Sequence, residues 1–162
     1  MREADDQSDG HRANPSELYR LGLSYHRGDG VPRSFDLAYK HYIEADALGC
    51  PHSKFALGSL FREYKDYQKT AHWWLAAAMS GNLAAQGSLV SVYRTGIYGL
   101  KEPDVVEAFA WGNLTICQKE AQSESWSDWR KSFRSFEATL TPDQIRMGEA
   151  RSVELFARIK KN

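Results

Sequence analysis

The 162-residue sequence has two cysteines, no excess charge of either sign and no long apolar run. Cys50 and Cys117 are too few for a disulfide scaffold, and both are predicted to be reduced thiols. The longest uninterrupted apolar stretch runs from Trp73 to Met79, far short of the length that crosses a bilayer. These shortages exclude a disulfide-stapled domain and a membrane-spanning segment in this sequence.

Charge and composition restrict the function further. Twenty-one basic residues balance 21 acidic ones, so no bulk charge draws the chain to nucleic acid or to an anionic membrane. Apolar residues make up 42% and charged residues 26%, which is typical of one globular domain. The first residues lack the apolar core of a signal peptide, which favours a cytoplasmic protein. Residues 1–13 are polar and are predicted to be a disordered tail.

One segment occurs three times. Leu21-Gly22-Leu23-Ser24-Tyr25 returns as Leu57-Gly58-Ser59-Leu60-Phe61 and as Leu89-Val90-Ser91-Val92-Tyr93, and an alanine- and aromatic-rich segment follows each copy. The three leucines are 36 and 32 residues apart, within the range of helical-repeat arrays. We therefore predict a repeat array over residues 14–120.

The repeats predict paired helices, with small residues where two helices touch and large ones where they separate. The second pair is predicted at about 53–63 and 67–80, and the third at about 83–94 and 103–117. The residues predicted to form the structural repeat are Leu21, Gly22, Tyr25, Leu57, Gly58, Phe61, Trp74, Ala77, Tyr93 and Trp111.

Residues 121–162 are predicted to form a helical cap on the array. An apolar stripe from Trp126 through Phe136 indicates one helix over 123–139. Thr141-Pro142-Asp143-Gln144 is a capping box that begins a second helix. The two tryptophans of the stripe, Trp126 and Trp129, are predicted to serve the core or the cap, and docking of a partner is the alternative.

The repeated residues resemble the Sel-one-like repeat family, which is related to tetratricopeptide repeats. The first copy matches through Leu21-Gly22, Tyr25, the Gly28-Asp29-Gly30-Val31 loop and Gly49. The second copy lacks that loop, and the third has Val90 where the family has glycine. The resemblance implies an all-α, right-handed superhelix of about three helix pairs plus the closing helices. It also implies a non-enzymatic adaptor or regulator that binds proteins, with no catalytic residues and no cofactor.

The first helix of each pair lines the concave surface of such an array. On its predicted open face, Tyr19 and Phe55 form an aromatic pair beside a basic row of His26, Arg62 and Arg94. Aromatic residues and arginine dominate interface hot spots, and an arginine row suits carboxylates, so an acidic segment of a partner protein is expected here. The alternative is that the rings are partly buried and the long cationic side chains only cover apolar surface.

Two other motifs favour structural roles. Gly28-x-Gly30 follows a helix and lacks a third glycine, so it predicts a turn and not a dinucleotide site. Cys50-Pro51-His52 with His41 fits no standard zinc spacing, so no metal site is predicted.

Three functions remain open at this point. The first is a non-enzymatic module that binds a protein or peptide on the concave face. The second is an immunity or anti-toxin protein that neutralises a cognate bacterial effector. The third is an envelope hydrolase or β-lactam-binding relative, a class whose paired cysteines and export signal this sequence lacks.

Overall fold

The computed structural model describes residues 14–96 and 102–161. The predicted tail at 1–13 and part of the third loop lie outside the described residues. All regular structure in the described ranges is helical. The α-helices are α1 (Pro15–Arg27), α2 (Phe35–Ala47), α3 (Ser53–Glu63), α4 (Tyr67–Met79), α5 (Leu83–Thr95), α6 (Val105–Ile116), α7 (Ser127–Glu137) and α8 (Pro142–Ile159).

Local signals set the helix ends where the sequence predicts them. The Asn14 side chain accepts a hydrogen bond from the Ser16 amide at 2.9 Å, and Pro15 occupies the first helical position. Gly49 and Gly81 follow the second helices with φ of 80° and 85°, left-handed values that glycine adopts without steric cost. These two predicted helix ends are confirmed.

Two predicted helix starts are wrong by two to four residues. The helix predicted at 103 begins at Val105, because Asp104 caps it by accepting from the Glu107 amide at 2.9 Å. The helix predicted at 123 begins at Ser127, since a 3-10 turn over Glu124–Trp126 precedes it. A further 3-10 turn, Lys119–Gln122, leads into this region.

Helices α1 to α6 form three antiparallel pairs, and the second helix of one pair packs on the first helix of the next. In each of the first two pairs an aromatic ring lies on a glycine. A Cβ added to Gly22 would lie 2.7 Å from Cδ1 of Tyr42, and one added to Gly58 would collide still more closely with Trp74. The absence of a side chain therefore lets both buried rings enter the space between paired helices.

Leu21 departs from the predicted core. Its equivalents Leu57 and Leu89 are 0% and 1% exposed, whereas Leu21 is 40% exposed. The two buried leucines face the preceding helix pair, and no helix precedes α1 among the described residues. The prediction that Leu21 is a core residue is therefore wrong, because within the described residues no helix precedes α1 to cover it.

The exposed side of α1 is also more polar than the matching side of α3. Arg20 and Ser24 stand where α3 has the buried residues Ala56 and Leu60. Polar side chains at these positions suit solvent and not another apolar helix.

The closing helices pack on the third pair. Helix α8 lies along α6, where Arg151 Nε donates to Glu107 Oε2 at 2.8 Å and Asn113 donates to Ser152 Oγ at 3.0 Å. Helix α7 contributes Phe133, whose ring lies against Gly112 of α6. Most of the buried apolar side chains from α4 to α8 form one continuous cluster, and a smaller cluster joins α2 to α3.

None of the helices in the described ranges is both long enough and apolar enough to cross a membrane. Both cysteines are free, with Cys50 buried and Cys117 exposed.

Candidate protein-binding surface

The predicted site residues occupy two recurring positions of the first helices. Tyr19 and Phe55 stand at the first position, and the residue two turns later is His26 in α1, Arg62 in α3 and Arg94 in α5. Residues seven apart lie on the same side of an α-helix, so each helix presents both positions together. The first helix of the third pair, α5, has Gly87 at the first position.

The two aromatic residues are half-buried. The Tyr19 ring lies 5.8 Å from the Tyr42 ring, and the Phe55 ring stacks on Trp74 at 6.0 Å. Each therefore supports the aromatic residue that packs on the glycine of its own helix pair. Burial also raises the pKa of Tyr19. Both residues are only partly buried, so part of each remains on the surface.

His26 lies inside the protein and not beside the two arginines. A 3.1 Å hydrogen bond joins its Nδ1 to the Tyr42 hydroxyl, and another of 3.1 Å joins its Nε2 to Glu63 Oε1. Arg33 donates to Glu63 Oε2 at 2.6 Å and to the His26 carbonyl oxygen at 2.9 Å. The prediction places His26 in an exposed basic row, but the ring turns inward because Tyr42 and Glu63 supply both of its hydrogen bonds.

The order hydroxyl, imidazole and carboxylate in this network has the form of a nucleophile, a base and an orienting acid. The Tyr42 side chain is fully buried, however, and burial raises the pKa of its hydroxyl. A substrate has no access to this oxygen. The network therefore fastens the first helix pair to the second.

Arg62 and Arg94 are exposed, and each guanidinium lies over an aromatic ring. The Arg62 guanidinium carbon is 5.4 Å from the centre of the Trp74 ring, and that of Arg94 is 5.8 Å from the centre of the Phe136 ring. Neither arginine has an ion-pair partner among residues 14–96 and 102–161. Each ring attracts the charge above it without neutralising it.

At the third repeat, the chain itself supplies the missing aromatic residue. A Cβ added to Gly87 would lie 3.0 Å from Trp126 and 3.2 Å from Trp129, so the glycine makes room for both rings. The Trp129 indole donates to the Gly87 carbonyl oxygen at 3.3 Å. Sequence reasoning missed this arrangement. The signal available was a glycine at the aromatic position of α5, together with a later tryptophan-rich segment.

The packing of Trp126 and Trp129 on Gly87 leaves a pocket between α3, α5 and the start of α7. It is open to solvent, has a volume of about 260 Å³ and is lined by Phe55, Ala84, Gly87, Ser88, Ser91, Trp126 and Trp129. A smaller cavity of about 60 Å³ adjoins it, shares Ser91 and Trp129, and reaches Arg94. The surface thus combines an aromatic pocket with two positive charges.

No group of three or more histidine, cysteine or acidic side chains in the described part of the chain could hold a metal ion.

The fold and this surface define a helical-repeat protein of the solenoid class. The sequence profile of the Sel1 repeat matches residues 18–50, 51–82 and 85–116, and each match covers most or all of one of the three helix pairs. The chain belongs to the Sel1 repeat family. The Sel1-like repeat (SLR) fold of this family is in general a protein–protein interaction module.

The chain is also similar to a crystal structure of a protective antigen present in uropathogenic Escherichia coli strains, which displays an SLR fold. The two are 23% identical with a TM-score of 0.49, and the match covers 91% of this chain and 40% of the antigen chain. The present chain therefore spans less than half the length of that protein.

Proposed function

We propose that this protein is a non-enzymatic adaptor that binds a segment of another protein on the surface of its first helices. The residues proposed to contact the partner are Tyr19, Phe55, Arg62 and Arg94. His26 contributes indirectly, since it fastens α1 to α3 through Glu63.

The observation that carries this proposal is the pair of exposed arginines at matching positions of α3 and α5. Each guanidinium rests on an aromatic ring and lacks an acidic partner within the described residues. A guanidinium that is already held in place loses less freedom when it binds a carboxylate, so more of the interaction energy appears as affinity. The exposed edges of Tyr19 and Phe55 add aromatic contact area.

The test is quantitative affinity capture from the source organism with two double variants. Arg62→Glu/Arg94→Glu reverses both charges on the proposed surface. Lys40→Glu/Arg158→Glu makes the same charge change at exposed residues of α2 and α8 and serves as the control. We expect at least one protein captured by the wild type to fall about tenfold or more with the first variant, since each tenfold loss corresponds to about 1.4 kcal/mol.

The control variant should capture that protein at the wild-type level. Equal capture by all three proteins would contradict the proposal and place the partner on another surface.

A further inference from the structure

We infer that the partner segment is acidic and carries one apolar anchor side chain, which enters the pocket beside Trp126 and Trp129. This inference rests on the proposed function and deepens it. It assigns the pocket to the anchor, and Arg62 and Arg94 to carboxylates of the same segment.

The size and lining of the pocket fit a single side chain. Its volume of about 260 Å³ is below the range of roughly 300–1,000 Å³ that is typical of sites for complete small molecules. Phe55, Trp126 and Trp129 provide aromatic walls, and Ala84 and Gly87 provide small ones. Aliphatic or aromatic side chains bury the most apolar surface in such a space.

The charges around the pocket favour an acidic segment. No acidic side chain lines the pocket or the adjoining cavity, within the described residues. The carboxylate of Glu63, the acidic residue next to Arg62 in the chain, is already bound to His26 and Arg33. An incoming Asp or Glu therefore meets two unneutralised guanidinium groups and no competing carboxylate from the pocket walls.

The spacing of anchor and charge follows from helix geometry. Arg62 and Arg94 stand seven residues after Phe55 and Gly87, and seven residues of α-helix span about 10 Å. An extended peptide advances about 3.3 Å per residue, so about three residues cover this distance. The expected motif is an apolar residue with Asp or Glu about three positions away.

The test begins with a random peptide library displayed on phage and selected on the 162-residue chain. We expect the enriched peptides to share an apolar residue with an acidic residue two to four positions away. The most enriched peptide, synthesised with a fluorescein label, then serves as the probe in anisotropy titrations. Its affinity should fall at least about tenfold with Arg62→Glu/Arg94→Glu and also when salt is raised from about 50 to about 500 mM.

Ser88→Leu tests the pocket directly, because a leucine at this wall fills it. Its matched control is Ser135→Leu on α7, where an exposed serine makes the same bond to the carbonyl oxygen four residues earlier. Ser88→Leu should weaken the labelled peptide at least about tenfold, and Ser135→Leu should leave its affinity unchanged. If Ser88→Leu alters the helical circular dichroism, Ala84→Leu fills the same pocket from another wall.

Four results would overturn the inference. One is a selection that enriches no peptides or only peptides without acidic residues. The second is that Ser88→Leu leaves the affinity unchanged while Arg62→Glu/Arg94→Glu abolishes binding. That result would contradict the apolar anchor and leave the proposed function standing. The third is light scattering that shows a dimer abolished by Ser88→Leu, which makes a second copy of the chain the occupant. The fourth is unchanged affinity in both the filled-pocket variant and the charge-reversed variant, which would contradict the proposed function as well.

Discussion

The indole of Trp129 donates a hydrogen bond of 3.3 Å to the backbone carbonyl oxygen of Gly87, 42 residues earlier in the chain. Through this contact, the segment that follows the last repeat lies on the first helix of that repeat. The three repeats therefore present different residues on this side of the protein. The first two present Tyr19 and Phe55 from their own helices, while the third presents Trp126 from the 3-10 turn before α7 and Trp129 from α7.

Gly58→Ala should destabilise the protein, although alanine favours a helix over glycine by about 1 kcal/mol. The new Cβ would collide with Trp74, which is almost fully buried and has no room to move. We expect the free energy of unfolding in urea to fall by about 1–3 kcal/mol. Ser59→Ala, one residue further along α3, should change it by less than about 0.5 kcal/mol. An equal or raised stability of Gly58→Ala would contradict the packing of Trp74 on this glycine.

The helices were predictable because their signals are local. Asn14-Pro15 and Thr141-Pro142 begin helices with a capping side chain and a proline at the first position, and the structure shows both caps. The constant spacing in sequence between the first two repeats also predicts that Tyr42 and Trp74 occupy equivalent positions. These features depend on neighbours within a few residues or on the repeat itself.

The surface was less predictable because it depends on contacts between distant segments. A repeat pattern cannot tell that Leu21 is 40% exposed while its equivalents are buried, or that Glu63 turns His26 inward. It also does not show where α7 packs, although its apolar stripe favours a core or a cap over the docking of a partner. The aromatic side chains at the third repeat are Trp126 and Trp129, which lie outside the repeat pattern.

A double-mutant cycle on His26 and Tyr42 should show that the two side chains interact. His26→Phe leaves the buried Tyr42 hydroxyl without this hydrogen bond, and we expect a loss of about 1–3 kcal/mol in unfolding free energy. Tyr42→Phe should also destabilise. The double variant should cost about 1 kcal/mol less than the sum of the two, because neither polar group is then left without the other. Strictly additive losses, measured by urea unfolding, would show that the hydrogen bond contributes nothing.

The stability of the protein should fall as the pH rises above about 10. Burial raises the pKa of Tyr42 above the ordinary value of about 10 that the unfolded chain retains. Above that pH the unfolded state loses a proton that the folded state keeps, so alkali favours unfolding. The contribution is complete below about pH 10 and declines above it by up to about 1.4 kcal/mol per pH unit.

Tyr42→Phe should therefore reduce the slope of unfolding free energy against pH between about pH 10 and 11.5, whatever it does to stability at neutral pH. Tyr19 and Tyr93, whose pKa values burial also raises, leave part of the slope in place. The exposed Tyr64 provides the control, and Tyr64→Phe should keep the wild-type slope. The same slope in Tyr42→Phe and wild type would contradict the assignment to this hydroxyl.

Gly112→Ala should detach α7 and with it the tryptophan wall of the pocket. A Cβ at this position would overlap the Phe133 ring, which is buried and stacks on Phe109 at 5.7 Å. Since α7 has its apolar contacts on one side only, displacement of Phe133 should release the helix while the three repeats stay folded. Amide hydrogen exchange should become much faster in residues 127–137 and change little in α3 and α4.

The control, Ser135→Ala on the outer side of α7, should exchange like the wild type. If exchange in α7 stays slow in Gly112→Ala, Phe133 is not what holds the helix. If α7 is released, the apolar anchor should lose affinity while Arg62, which lies on α3 over Trp74, keeps its position and its charge.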